Sequence, residues 1–184
     1  MLIDFRKSPS PVPELEIDGV KVERVDVYKY LGTHIDSKLT FNTHIQSVHK
    51  KCQSRIYCLQ TLRKLQVNPN ILQAFYRSFI ESIVTFSFVC WYGSLCVKSK
   101  NVLERVVNVC GKIVGVKQES LSVLYERRVY KIGRKIACDD SHALARHYEL
   151  LPSGKRFRTL KFKTVRFQNT FVPKSILLLN QRLD

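Results

Sequence analysis

Acidic residues are scarce. The 184-residue chain carries 15 Asp and Glu against 31 Lys and Arg, a formal net charge of +16. That imbalance disfavours basic partners and draws the chain to polyanions, with nucleic acid the commonest and an anionic membrane surface next. Long apolar runs are also lacking. The most apolar stretch, residues 71–86, is interrupted by Arg77 and Glu81 and falls short of the roughly 18 apolar residues that a membrane span needs. No pair of the six cysteines is spaced Cys-x-x-Cys, and most fall in apolar helical patterns. Cys52, Cys58, Cys90, Cys96, Cys110 and Cys138 are therefore read as buried reduced thiols, not as disulfides or zinc ligands. No glycine-rich loop follows a strand, so nothing holds a nucleotide or methyl donor in that way. Met1-Leu2-Ile3-Asp4 does not open a secretory signal. An intracellular chain, nuclear or cytoplasmic, without cofactor or metal, is the expectation.

What is present is enough apolar residue to bury a core, 45% of the chain. The first 41 residues read as β-rich. Ser8-Pro9-Ser10-Pro11-Val12-Pro13 excludes helix and central strand and reads as a loop or edge. Leu15-Glu16-Ile17 and Val20-Lys21-Val22 flank Asp18-Gly19, the strongest short hairpin signal because both turn positions favour positive φ. Residues 24–35 continue extended through Tyr28-Lys29-Tyr30-Leu31-Gly32. A glycine inside a strand marks a bulge or the close approach of another backbone. Gly32 is thus read as a bulge, or as the place where a nucleic-acid strand passes the sheet.

From residue 42 the period changes. Asn42 or Thr43 is the expected cap of a first helix. Ile45, Val48, Cys52, Ile56, Leu59 and Leu62 recur at three- and four-residue steps, the spacing of one helix face. Lys50, Lys51 and Arg55 lie off that stripe, and no acidic partners at i+4 neutralise them. Such a face suits phosphates. Asn68-Pro69 opens a second helix, apolar almost all round to Phe86 and so expected at the centre of the fold. Trp91 is expected in the core. A third helix over about 99–114 stops at Gly115, and a fourth runs over about 120–137 with Leu121, Leu124, Val129, Ile132 and Ile136 inward. His142 and His147, five residues apart, share no helix face and are read as structural.

The last segment, residues 151–184, is a basic tail. Lys155, Arg156 and Arg158, followed by Lys161, Lys163 and Arg166, alternate with Phe157, Phe162 and Phe167. Cations interleaved with aromatics suit phosphates and stacked bases, while the plainer reading is a basic hairpin or a loose tail. Residues 171–179 read as a short apolar docking segment. The fold class expected is α+β, mainly α: β-rich over 1–41, a bundle of about four helices over 42–150, and the tail. An unpaired edge in the N-terminal sheet makes self-association an expectation.

Asp4-Phe5-Arg6-Lys7, Tyr28-Lys29-Tyr30-Leu31-Gly32, Asp36-Ser37-Lys38-Leu39 and Lys50-Lys51-Cys52-Gln53-Ser54-Arg55 resemble, in order, the C-terminal part of the reverse transcriptase of LINE-type, non-LTR retrotransposons. Phe75-Tyr76-Arg77-Ser78, Cys90-Trp91-Tyr92-Gly93-Ser94, Leu151-Pro152-Ser153-Gly154 and Phe171-Val172-Pro173 continue the resemblance over essentially the whole chain. It implies the end of a palm, a thumb-like bundle and a tail. Tyr30, Leu31 and Gly32 would then sit near a primer end, and Lys50, Lys51, Arg55, Lys155, Arg156 and Arg158 on the backbone of RNA or DNA without sequence preference. The family's polymerase chemistry uses paired aspartates holding two metal ions. Asp139-Asp140 lies elsewhere in the order of motifs, so the expectation is a truncated, non-catalytic binding remnant.

Residues 42–86 also resemble the segment known as the N-terminal part of AlkB homologue eight, a protein associated with tRNA modification. An iron/2-oxoglutarate oxygenase needs two His and a carboxylate around its metal. His34-Ile35-Asp36 has the required spacing, with His142 or His147 as a conceivable third ligand. This is the competing enzyme reading, and the strand content expected after residue 42 is too low for that fold.

Overall fold

A computed structural model describes residues 1–6 and 14–181 of the chain, an α+β protein that is mainly helical. The proline-rich segment of residues 8–13 lies outside the described residues. Two antiparallel hairpins open the structure. β1 (Glu16–Ile17) pairs with β2 (Val20–Lys21) across Asp18 and Gly19, whose φ of 50° and 76° make the expected turn. β3 (Val27–Tyr30) pairs with β4 (Thr33–Asp36), Tyr30 opposite Thr33. Here the sequence expectation is corrected. Gly32 is not a bulge within a strand but the second residue of a two-residue turn, with Leu31 at φ 44° and Gly32 at φ 85°. The run of residues 24–35 therefore folds back on itself. The fourfold apolar and aromatic content of the stretch masks a turn that lacks the usual Asn or Asp at its first position.

Asp36 then turns the chain from strand to helix. Its carboxylate accepts hydrogen bonds from the amides of Lys38 (3.1 Å), Thr40 (2.9 Å) and Phe41 (2.6 Å) and from the Thr40 hydroxyl (3.1 Å). α1 (Asn42–Lys64) starts from Phe41 in the left-handed region, φ 59°, without a side-chain cap, so neither Asn42 nor Thr43 takes the expected role. Asp36, five residues upstream of Phe41, orders the entrance to the helix but accepts no amide of its first turn. Ile45, Val48, Cys52 and Leu59 are buried as the spacing predicts, with Ile56 and Leu62 half-buried.

α2 (Pro69–Phe75), capped by the Asn68 side chain on the Asn70 amide, runs into a π-helical turn (Tyr76–Glu81) and then α3 (Ser82–Val84). Leu72, Tyr76, Ile80 and Val84 are all buried, one every fourth residue. An α-helix has 3.6 residues per turn, so a strict four-residue stripe would drift around it. The π turn, with its i→i+5 bonding, holds more residues per turn and offsets that drift. The segment is not buried all round: Ile71, Phe79 and Phe86 stand exposed on its other side. It ends at Val84, where the Arg128 guanidinium donates to the Thr85 carbonyl (3.0 Å) and the Trp91 indole to the Phe86 carbonyl (2.9 Å). Those donors satisfy carbonyls that a broken helix leaves open.

α4 (Phe88–Trp91) and a 3-10 turn (Tyr92–Ser94) carry the aromatic centre of the core. Trp91 is fully buried and meets Phe88 edge-on at 5.3 Å, while Tyr92 and Tyr125 pack at 5.1 Å. α5 (Val97–Val114) begins slightly before the predicted start and stops at Gly115, φ 87°. α6 (Leu121–Ala137) is capped by Ser120. Its inward residues include Tyr125 and Gly133, whereas Ile132, expected inside, is exposed. A 3-10 turn (Ala145–His147) and α7 (Val165–Gln168) precede α8 (Phe171–Gln181). α8 realises the apolar docking segment as a further long helix against α6, where Ile136, Tyr148, Ile176 and Leu179 form a second core cluster. The expectation of buried thiols is corrected: only Cys52 and Cys110 are buried, and Cys58, Cys90, Cys96 and Cys138 are exposed.

Candidate nucleic-acid interface

The expected binding residues fall into three places. On α1, Lys50 and Lys51 are exposed, and Arg55 is half-buried with its guanidinium folded back onto the Lys51 carbonyl at 3.2 Å. Helical spacing puts Lys50 and Tyr57, seven residues apart, on one side. Tyr57, off the apolar stripe, is 71% exposed, and sequence reasoning did not single it out. An exposed ammonium on the same side as an exposed phenol can hold a phosphate and stack a base.

The tail is a second place, and it is not loose. Leu150 and Phe157 form an antiparallel bridge around the Pro152-Ser153-Gly154 turn. Asn180 of α8 clamps it from below, accepting from the Phe157 amide (2.8 Å) and donating to the Phe157 carbonyl (3.0 Å). This presents Lys155, Arg156 and Arg158 to solvent; the Arg158 guanidinium makes a long, exposed contact with Glu149, 3.9 Å. Phe157 packs toward Tyr148 and is structural, while Phe162 and Phe167 stay exposed. Arg166 is structural too: it donates to the carbonyls of Lys38 (2.7 Å) and Leu39 (2.6 Å) and so ties α7 to the strand-to-helix link. The tail belongs to the second core cluster and α1 to the first, so each patch is held by its own packing.

The third place is the β3–β4 turn. Tyr30 and Leu31 are exposed, Leu31 at 75%. Gly32 comes close to another group as glycine in such a run implies, but the group is the Phe86 ring: a Cβ added at Gly32 would lie 3.3 Å from Phe86 Cε1.

Phe86 also lines a cleft of about 800 Å³ between the π-turn segment and the start of α6. Arg77, Lys117, Arg127 and Arg128 face it, with Glu81 and Glu119. Sequence reasoning missed this cleft, because its cations come from segments forty residues apart.

The geometry around His34-Ile35-Asp36 bears on the oxygenase reading. The Asp36 oxygens are taken up by the four bonds at the α1 entrance. Partial burial would raise its pKa, but those bonds outweigh burial and hold the carboxyl below its ordinary value. His44, buried on α1 against Trp91 at 5.1 Å, accepts the His34 amide at 3.4 Å and leaves its Nε2 unpartnered. Burial, then the neighbouring His34 and Lys51, push its pKa down to about 4. His142 is exposed, its Nδ1 accepting from the Leu144 amide at 3.1 Å. Among the described residues no group of three His, Cys, Asp or Glu side chains stands together at ligating distance. No helix among them is long and apolar enough to cross a membrane.

Comparison with known proteins finds two similarities. The family model for the alkylated DNA repair protein alkB homolog 8, N-terminal, matches residues 41–82, from the first residue of the α1 entrance to the start of α3. A probable RNA-directed DNA polymerase from transposon BS of Drosophila melanogaster is 30% identical over 88 residues. That alignment takes in 46% of this chain and 10% of the fly protein's length. No solved structure matches. The chain is thus similar, over part of its length, to a transposon reverse transcriptase and to a segment of an alkB homologue.

Proposed function

We propose that the chain is a nucleic-acid-binding segment of the LINE reverse-transcriptase type that holds RNA or DNA through its phosphates and carries no polymerase chemistry of its own. The observation that carries this reading is the 30% identity to an RNA-directed DNA polymerase. The +16 charge and the exposed Lys50, Lys51, Lys155 and Arg158 support it. The one Asp-Asp pair of the sequence offers no site by itself: Asp139 is held by the amide (3.1 Å) and hydroxyl (2.6 Å) of Ser141 on an exposed turn. Backbone binding releases counterions, so affinity falls steeply with salt and hardly depends on sequence.

The test is a salt titration of duplex binding for the wild type and for Lys50, Lys51 and Arg55 all replaced by Ala. Each phosphate contact contributes about 0.9 to the log–log slope, so the triple variant flattens it by roughly two to three units. Unchanged nucleic-acid binding with lost affinity for anionic vesicles would instead assign this face to a membrane surface. Primer extension with dNTPs and Mg²⁺ should stay at the level of a heat-killed control.

The family-model match over residues 41–82 favours a second reading, a segment accompanying tRNA modification. A stoichiometric Fe(II) site lost on His34→Ala or Asp36→Ala would move the balance to it.

A further inference from the structure

We propose that the cleft between the π-turn segment and α6 is a binding site for single-stranded nucleic acid, with phosphates on Arg77 and Lys117 and a base stacked on Phe86. The inference rests on the nucleic-acid reading above and assigns it a second, separate surface.

Charge is the first argument. Four cations and two carboxylates line the cleft. Two of the cations are committed. Arg127 holds Glu119 through both guanidinium nitrogens, at 2.9 and 2.7 Å, and Arg128 donates to the Thr85 carbonyl at 3.0 Å. Arg77 and Lys117 are exposed and make no ion pair among the described residues. Of the carboxylates, only Glu81 is left to offset them. At the start of α6 the Leu121 amide already donates to Glu104, 3.1 Å, so that donor is not open to a ligand.

Shape is the second. A volume of about 800 Å³ suits one or two nucleotides, within the usual range of ligand clefts, and is too small to admit a duplex. The cleft has fixed walls. Gln73 of α2 and Gln118 after α5, both in its lining, exchange two hydrogen bonds of 2.9 Å. The wall opposite α6 is the π turn itself, a geometry concentrated at functional sites because it widens a helix locally. Phe86 is the third argument. It is half-exposed at the rim where α3 breaks, with its backbone carbonyl pinned by Trp91 and its ring against Gly32. A half-exposed aromatic ring lining the same cleft as two unpaired cations is an arrangement that can stack a base next to its phosphate. An acidic peptide would satisfy the cations but would leave Phe86 without a role.

The experiment measures fluorescence anisotropy of labelled dT12, rU12, a 12-base-pair duplex and a glutamate dodecamer. The full chain is compared as wild type, Arg77→Ala/Lys117→Ala, Phe86→Ala, and the α1 triple variant. The expected result is a loss of about tenfold or more for dT12 and rU12 in the double variant, with duplex binding nearly unchanged. Its single-strand salt slope should flatten by about 1.4, at roughly 0.7 per phosphate. Phe86→Ala weakens single strands without changing the slope. The α1 triple variant shows the converse preference, so loss of the α1 effect with retention of the cleft effect sinks only the reading of α1. Undiminished single-strand binding in the double variant overturns the proposal, as does equal, equally sensitive binding of the glutamate peptide. Hydrogen exchange on the wild type checks the site without substitution: dT12 should protect amides over residues 76–87 and 116–128, and protection confined to α1 or the tail overturns it as well.

Discussion

Gly133 of α6 lies directly against Ser175 of α8: a Cβ at position 133 would sit 2.7 Å from the Ser175 Cβ. Ser175 is in turn fixed by the Tyr148 hydroxyl at 2.6 Å and by its own bond to the Val172 carbonyl at 2.8 Å. The contact is what lets α8 close over α6 and holds the basic tail, through Asn180, where it is.

Gly133→Ala should therefore destabilise the chain. In an open helix the change gains about 1 kcal/mol of propensity. Overpacking a fixed contact costs about 1–3 kcal/mol, so the steric cost equals or exceeds the gain, by up to about 2 kcal/mol. Urea unfolding measures it, and a double-mutant cycle with Ser175→Gly should recover part of the loss. Equal loss in both backgrounds would show that the two residues are not coupled.

Leu31→Asn should stabilise the second hairpin. Leu31 sits at φ 44°, which costs a leucine about 1–2 kcal/mol and an asparagine less. Its side chain is exposed, so little packing is lost. A rise in the protection of β3 and β4 amides, with α5 unaffected, is the expected outcome; a fall in protection would mean that Leu31 packs on something.

His44 makes stability fall on acidification. Its folded pKa is lowered from 6.5 to about 4, so the folded chain resists a proton that the unfolded chain accepts. Stability from this group is full above pH 6.5, declines between pH 6.5 and about 4, and levels off below. The span amounts to about 3 kcal/mol at most. His44→Phe, which keeps the edge contact to Trp91, should flatten the wild-type decline in that window. An unchanged pH profile would count against the buried, neutral imidazole.

Asp36 acts in a lower window. Its folded pKa is below the ordinary value, so its contribution is present above the unfolded pKa near 3.9 and is lost as pH falls through the folded one. Asp36→Ala leaves three amides and a hydroxyl without their acceptor. A loss of about 1–3 kcal/mol at neutral pH is expected, with early exchange of the Thr40 and Phe41 amides. Retained protection at both amides would show that another acceptor replaces the carboxylate.

Much of this molecule was decided locally. The caps at Asn68 and Ser120, the stop at Gly115, the Asp18-Gly19 turn and the stripe of α1 depend on neighbours within one or two turns. Composition and spacing therefore specify them, together with the α+β, mainly helical class. The exposure of Lys50, Lys51, Lys155, Arg156 and Arg158 follows from the same patterns. Other features belong to tertiary structure. Asp36 orders the link from strand to helix, the π turn reconciles a four-residue stripe with a 3.6-residue helix, and Phe86 fills the space beside Gly32. The cleft cations come together where two distant segments pack, at a place marked by the bond between Gln73 and Gln118, forty-five residues apart in the chain. Periodicity reports which face of an element is apolar. It carries no information about which distant segment covers that face, and packing alone decides that.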